Sequence, residues 1–389
     1  MRVMIVVTHL LGSGHLARAR TLAAAFRDRG HAVLLATGGA PVPHLPPPAG
    51  VELLQLPPVA SDGTDFSRLL RPDGTPADAA WLAARAAALV SAVERFRPAV
   101  LITELYPFGR RALRDEYRAL LAAATALDPR PAILASVRDI LAPPSRPERA
   151  AETEAVLAAH YNAVLVHADP AEIRLDASWP VSAWLQGRLR YTGFIAPPAP
   201  AGAGQAAPSG EIIVSAGGGD VGAALFDAAL GAAEAEAGSG GARHWRLLVG
   251  GNRAGAECDR LRRAAAARPG LAGRVAIEPA RPDFRDLLSG AAASVSLCGY
   301  NTALDLLATG TPGVFVPFDA GRETEQRQRA EALARRAHFA VVPAAALSPA
   351  ALGRALDRVL RVGRFVPDPT GLDGASESVR LAEAIAHAA

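Results

Sequence analysis

The sequence predicts an α/β protein made of two doubly wound domains. Three observations predict it. Apolar runs of four to six residues alternate with helical stretches, a strand–glycine loop–helix arrangement occurs once in each half, and a Pro/Ala/Gly-rich segment separates the halves. Apolar runs of this length, without polar alternation, belong to strands covered on both faces, as in parallel sheets flanked by helices. In the first half, "RVMIVVTHLLGSGH" reads as a strand and a glycine loop, "LARARTLAAAFRDRG" as a helix stopped by Gly30, and "HAVLLAT" as the next strand. "AVLITEL", "AILASVR" and "AVLVHA" continue the series. After residue 210, "EIIVSAGGGDVGAALFDAALGAA" repeats the arrangement, followed by "HWRLLVGGN", "RVAIEP", "ASVSLC" and "GVFVPF". The expected division is a domain over 1–195, a linker over 196–210 ("APPAPAGAGQAAPSG"), a domain over 211–365 and a closing helix over 366–389. That last helix is free in the sequence to pack back on the first domain. In doubly wound domains, ligands gather at the carboxyl ends of the strands, and a cleft between two such domains is the natural place for one.

At 389 residues the chain is long enough for two full cores. It contains no lysine: all 41 basic residues are arginine. This excludes a Schiff-base lysine, and with it ordinary pyridoxal phosphate chemistry, as well as a standard Walker A loop. The net charge of +3 is small and the arginines are scattered, as in "RLRRAAAARPG", which reads as a solvated helix face rather than a nucleic-acid groove. Cys258 and Cys298 are too few and too far apart for a disulfide framework or a cysteine zinc site. The opening "MRVMIVVTHLL" breaks at "GSGH", as a buried first strand does and a signal peptide does not. With no apolar stretch of membrane-spanning length, the expectation is a cytoplasmic protein, for which peripheral membrane association stays open.

Several motifs sit where chemistry is expected. In "SAGGGDVG", Gly217, Gly218 and Gly219 lie between a strand and a helix, so their backbone N–H groups can face an anion at the helix N-terminus; an ordinary tight turn would look the same. In "CGYNTALD", Gly299 lets the backbone approach a ligand closely, while Asn301 or Thr302 can cap the following helix. Asp305, one turn further on, is placed to accept from the hydroxyls of a sugar, or simply to complement the helix dipole. Asp319, Glu325 and Gln326, in "VPFDAGRETEQRQRAEAL", are candidate contacts to sugar hydroxyls or solvated loop residues. Cys298 reads as a small buried residue.

In the first half, "GSGHLARA" puts His15 at a helix start between Gly12, Gly14 and Arg18, where a neutral imidazole is usable as a base. Glu104, Arg110, Arg138 and Asp139 follow the ends of two further strands; for Arg138 and Asp139 a mutual structural pair is the competing reading. No D-x-D, H-E-x-x-H or G-x-S-x-G appears, so neither a metal nor covalent catalysis is expected.

These residues resemble a known family. "CGYNTALDLLATGTPGVFVPF" with "ETEQRQRAEAL" resembles the donor-binding domain of GT-B glycosyltransferases of the MurG-like, family 28 type. "GSGHLARARTLAAAFRDRGHAVLLAT" is similar to the N-terminal motif of the same superfamily, and its G-x-G-H-x-x-R form is also similar to that of nucleotide-sugar hydrolases. The resemblance implies that Gly217, Gly218 and Gly219 hold a diphosphate and that Asp305 stands where these enzymes usually carry a glutamate on the ribose. It further implies that the backbone near Arg281 reads the base, that Glu325 and Gln326 face the donor sugar, and that His15 lies at the acceptor. Gly12, Gly14, Arg18, Arg110 and Arg138 fall on the acceptor or phosphate side.

The expected activity is therefore inverting, metal-independent transfer of a sugar from a nucleoside diphosphate sugar, UDP-linked first, to an unidentified hydroxyl or amine, with no cofactor. His15, Glu104 and Asp139 are the candidate bases. The alternatives are a nucleotide-sugar hydrolase or epimerase, a noncatalytic nucleotide-sugar-binding protein and, last, a dehydrogenase, although "SAGGGDVG" does not form a dinucleotide fingerprint.

Overall fold

The computed structural model describes residues 1–43, 45–62, 65–196, 209–217, 222–251, 253–318, 324–369 and 371–388, with 65–67 described as backbone only. In chain order the elements are β1 (Arg2–Val7), α1 (Gly14–Asp28), β2 (Ala32–Thr37), β3 (Glu52–Gln55), β4 (Ala60–Asp62), β5 (Asp65–Leu70), α2 (Ala79–Phe96) and β6 (Val100–Glu104). Then follow α3 (Arg114–Thr125), β7 (Ala132–Arg138), α4 (Glu148–His160), β8 (Ala163–His167), α5 (Ala183–Gln186) and β9 (Leu189–Tyr191). The second series is β10 (Ile212–Ser215), α6 (Ala223–Gly238), β11 (Trp245–Val249), α7 (Ala254–Ala266), β12 (Val275–Pro279), α8 (Phe284–Gly290) and β13 (Ala293–Ser296). It ends with α9 (Tyr300–Thr309), β14 (Gly313–Phe315), α10 (Glu325–Leu333), β15 (Phe339–Val341), α11 (Pro349–Val362) and α12 (Gly374–Ala388).

The chain forms two compact units, Met1–Ile195 with Thr370–Ala389, and Ala196–Pro369. The first holds a parallel sheet in the order β3-β2-β1-β6-β7-β8-β9, beside an antiparallel β4–β5 ribbon. The second holds a parallel sheet in the order β12-β11-β10-β13-β14-β15. In both sheets the first strand of the unit sits centrally, and the chain runs outward to one side before crossing back to the other. The reversal falls between β1 and β6 in one sheet and between β10 and β13 in the other. At such a point two successive loops diverge and leave a crevice at the carboxyl ends of the strands.

The uninterrupted apolar strands are buried as their composition requires. Val3, Ile5, Val7, Val100, Ile102, Leu134 and Leu165 form the core of the first unit with Leu16, Leu22 and Phe26 of α1. Ile212, Val214, Leu247, Val295 and Val314 form that of the second, under Leu225, Phe226, Leu352 and Leu356. Helix α12 belongs to the first core, to which it contributes Val379 and Ala382. The backbone ties it there: Phe194 N–H donates to Gly371 O at 2.8 Å and Gly374 N–H to Phe194 O at 3.0 Å. A Cβ on Gly374 would strike the Gly193 carbonyl, so only glycine fits that join. His31 Nε2 and Glu383 Oε1 meet at 2.9 Å on the same seam. Among the described residues no helix is long and apolar enough to cross a membrane.

Candidate functional site

In the first unit, the crevice between β1 and β6 is closed by side chains. Helix α1 starts at Gly14 after Ser13, whose side chain makes no cap, and Gly12 takes φ +66, a backbone conformation natural to glycine. His15 is thereby set in the first turn of α1, and Glu104 is the last residue of β6. His15 Nδ1 lies 2.9 Å from Glu104 Oε1, and Arg18, one turn along α1, donates through Nη2 to the same oxygen. The two donors converge on one acceptor, which is why they lie 3.1 Å apart. Glu104 Oε2 accepts from the Ser136 hydroxyl of β7 at 2.5 Å. Glu104 and Ser136 are direct partners in the sheet register, so adjacent strands present them to each other.

The electrostatics follow from burial and from these partners. Burial opposes ionisation of Glu104, but Arg18, His15 and Ser136 outweigh it and hold the carboxyl below its ordinary range. Burial lowers His15 to about 3, with Arg110 and Arg18 adding to the fall and the Glu104 carboxylate opposing it. His15 is thus neutral near pH 7. Its Nδ1 carries the proton, because the carboxylate can only accept, and Nε2 is left with a bare lone pair. The helix start is a minor matter beside this; dehydration is the main reason the imidazole stays uncharged.

The other first-unit candidates separate clearly. Arg18, expected on the acceptor or phosphate side, is 4% exposed and engaged with Glu104, so it serves the pair rather than a ligand. Glu104 and Asp139 are 2% and 0% exposed. Glu104 has both oxygens bonded and Asp139 accepts from Ile140 N–H at 2.9 Å, whereas a base for an external proton needs an accessible lone pair. Arg138 ends β7, half-buried, in register with His167. Arg110 stands at φ +60 with its Nε buried and makes itself felt electrostatically at His15, His9 and Tyr117. Leu11, on the loop leading to His15, is exposed.

In the second unit, glycines line the corresponding crevice. Gly217 follows β10 at φ +73 and donates to Ser215 Oγ at 3.2 Å; Gly222 precedes α6 at φ +123, where a Cβ would strike Ala216. Gly218, Gly219 and Asp319 lie outside the described residues. Across the switch point, Gly299 is the N-cap of α9 with open space where its Cβ would be. Asn301 and Thr302 do not cap that helix: they are its second and third residues, and a capping side chain must come from the residue before the first turn. Among the described residues the first turn of α9 has no side-chain cap.

Asp305 is largely buried, and burial raises its carboxyl to about 7 against the pull of Arg285, whose Nε lies 2.9 Å from Oδ1. Glu325 Oε1 accepts from Arg329 at 2.8 Å, and Gln326 Oε1 accepts from the Phe318 N–H at 3.1 Å, leaving the Gln326 amide nitrogen to donate elsewhere. Arg329, 1% exposed, also donates to the Cys298 carbonyl at 2.8 Å and lies over the Tyr300 ring. Cys298 is buried, as its place in the strand run suggests. Arg281 pairs with Asp283 at 2.6 Å and Glu278 at 3.3 Å, just past the edge strand β12. Arg285, Arg329, Ser136 and His167 were missed by motif reasoning. For Ser136 and His167 the available signal was a polar residue inside or ending an otherwise apolar strand, which must find a partner when buried; Arg285 and Arg329 lie in helices α8 and α10, where an arginine carries no such signal.

This geometry accords with known proteins. Residues 265–365 match the model of the glycosyltransferase family 28 C-terminal domain, a segment that contains Arg281, Gly299, Asp305, Glu325 and Gln326. The fold is thereby defined: a two-sheet α/β fold shared with solved GT-B glycosyltransferases, in which residues 265–365 are similar to the family 28 C-terminal domain. MurG from Acinetobacter baumannii is similar over 100% of this chain and 98% of its own, with a TM-score of 0.58 and 14% identity. The glycosyltransferase VinC, solved with dTDP, is similar over all of both chains, with a TM-score of 0.60 and 16% identity. A UDP-glucosyltransferase from Polygonum tinctorium gives 0.58 and 15% identity over 99% of this chain and 93% of its own. No curated protein sequence matches the chain.

Proposed function

We propose that the protein is an inverting glycosyltransferase that uses a nucleoside diphosphate sugar, UDP-linked first, without a metal. The observation that carries this reading is the neutral His15, held by Glu104 with a bare Nε2. In the reaction, Nε2 takes the proton of an acceptor hydroxyl or amine as that atom bonds to the anomeric carbon. The bond to the diphosphate oxygen breaks on the opposite face, and the nucleoside diphosphate leaves with the electron pair. Glu104 stabilises the imidazolium as it forms. The uncapped first turn of α9 and the glycine loop after β10 supply N–H groups and a positive helix end for charge developing on the diphosphate, the role a metal plays elsewhere. Asp305, as a carboxylate, accepts from a ribose hydroxyl, and the free amide of Gln326 donates to the donor sugar. Arg110 adds positive potential beside His15 and Leu11 an apolar contact, features suited to an acceptor that is partly apolar and carries negative charge.

The test is a thermal-shift panel of UDP, dTDP, GDP, ADP and NAD, followed by acceptor screens with the sugar donor of the nucleotide that binds, with and without a chelator. A ligand at about 100 times its dissociation constant stabilises by about 2.7 kcal/mol. A shift with one nucleoside diphosphate that falls to about half in Asp305→Ala at the same ligand concentration supports the donor site, and a shift with NAD alone overturns it. Release of free sugar at full rate without acceptor would mean hydrolysis, because His15 can deprotonate water as readily as an alcohol. Tight binding without turnover, unaffected by His15→Ala, would mean a binding protein.

A further inference from the structure

A second histidine, which the proposed reaction does not use, is bonded to the far side of the pair that does. His167 ends β8 and is 0% exposed. Its Nε2 lies 2.8 Å from Ser136 Oγ, and its Nδ1 lies 2.9 Å from Thr192 Oγ1. Burial lowers its pKa to about 3, with Arg18 adding to the fall and Glu104 opposing it, so the ring is neutral.

The proton positions in this row are fixed by counting donors. Glu104 is a carboxylate and only accepts, so the single Ser136 proton points to Oε2. Ser136 Oγ must then accept from His167, which places the ring proton on Nε2. A neutral ring has no second proton, so Nδ1 accepts, and the Thr192 hydroxyl is the group at hand; the Gly193 carbonyl, 2.8 Å away, competes for the same proton. The row therefore runs in one direction, from His167 through Ser136 to Glu104, and Glu104 receives it on the oxygen that His15 and Arg18 do not use. With Oε2 anchored, the carboxylate cannot rotate, and Oε1 stays aimed at His15 Nδ1.

We propose that Ser136 and His167 are positioning residues that hold His15 in its Nδ1–H tautomer, leaving Nε2 as the base. The proposal rests on the reading of His15 as the base for its functional meaning, but the tautomer itself is measurable without turnover. If the row is only core filling, removing a link lowers stability and leaves the His15 proton where it was.

The experiment is nitrogen NMR of the full chain carrying isotope-labelled histidine, with the His15 signals assigned by their loss in His15→Gln. The wild type should show His15 as a fixed Nδ1–H tautomer at pH 7. In Ser136→Ala the two ring-nitrogen signals should move toward each other as the tautomers mix, and His167→Leu should do the same to a smaller degree. His167→Gln, whose amide N–H reaches the position of Nε2, should restore the wild-type pattern. Thermal melts establish that each variant is folded. If Ser136→Ala does not fold, the comparison of His167→Leu with His167→Gln carries the same question. An unchanged His15 tautomer in the folded variants overturns the proposal. A shifted tautomer in a protein that transfers no sugar to any acceptor would leave it standing and remove the glycosyltransferase reading instead.

Discussion

The two units share a sheet order and use it in opposite ways. Between β1 and β6 the switch point is filled by ionisable side chains that satisfy one another: His15, Arg18, Glu104 and, behind them, Ser136 and His167. Between β10 and β13 it is lined by Gly217, Gly222 and Gly299, with helix N-termini that no side chain among the described residues caps. On the proposed reading, one crevice moves a proton and the other accepts an anion. The topology fixes where a site falls; the residue types after each central strand fix what it can do.

The sharpest way to break this comparison is His15→Ala. Transfer should fall by roughly 100- to 10,000-fold, the range for loss of a general base, while the thermal shift with the nucleoside diphosphate stays at its wild-type size. A lost nucleotide shift would mean that the two crevices do not divide the work. Next comes Glu104→Gln, which keeps the shape but leaves the Arg18 guanidinium buried without its counter-charge. Chemical denaturation should show a loss of about 3–5 kcal/mol, alongside reduced transfer.

Acid should separate the units by sign. His15 and His167 have folded pKa values near 3 against an ordinary 6.5, so the unfolded chain binds more protons between those limits. Their contribution is fully present above pH 6.5 and is lost as pH falls toward 3, by up to about 1.4 kcal/mol per pH unit for each group. Glu104, also lowered, acts in the same direction. Asp305 does the reverse: raised from 3.8 to about 7, it favours the folded state at low pH and loses that contribution as pH rises through 7. Hydrogen exchange between pH 7 and 5 should show the β1–β6 region loosening before the β10–β13 region; equal loosening would contradict the assignment.

The same carboxyl sharpens the donor reading. UDP affinity should rise with pH through about 7 as Asp305 ionises, and Asp305→Ala should cost roughly tenfold, about 1.4 kcal/mol, in calorimetric titration. The smallest expected effect is that of Gly222→Ala. A side chain at φ +123, pressed against Ala216, should cost about 1–2 kcal/mol in thermal unfolding.

Much of this was legible from residue types alone. The apolar runs named the central strands of both sheets, and "GSGH" and "CGYNTALD" marked the two loops that flank the switch points. The edge strand β9 and the β4–β5 ribbon were not legible, because partly exposed strands lack a continuous apolar run, and β15, though apolar and buried, is only three residues long. Asn301 and Thr302 looked like caps because their residue types favour capping, but the helix begins one residue before them. Arg18 looked like an anion ligand because it is basic and near glycines; it is paired within the protein because Glu104, 86 positions away, ends the neighbouring strand.

By itself the sequence determined the α/β class, the paired strand–glycine loop–helix units and the residues available for chemistry, since these depend on local periodicity and on composition. Only the tertiary structure decided which of those residues meet. Parallel strands pair residues far apart in the chain, so the bond from Glu104 to Ser136, and from Ser136 to His167, exists only once register is set. Burial then did what no residue type can do alone. It kept His15 uncharged and drew Asp305 toward neutrality, because the energy of a charge depends on the water that folding removes.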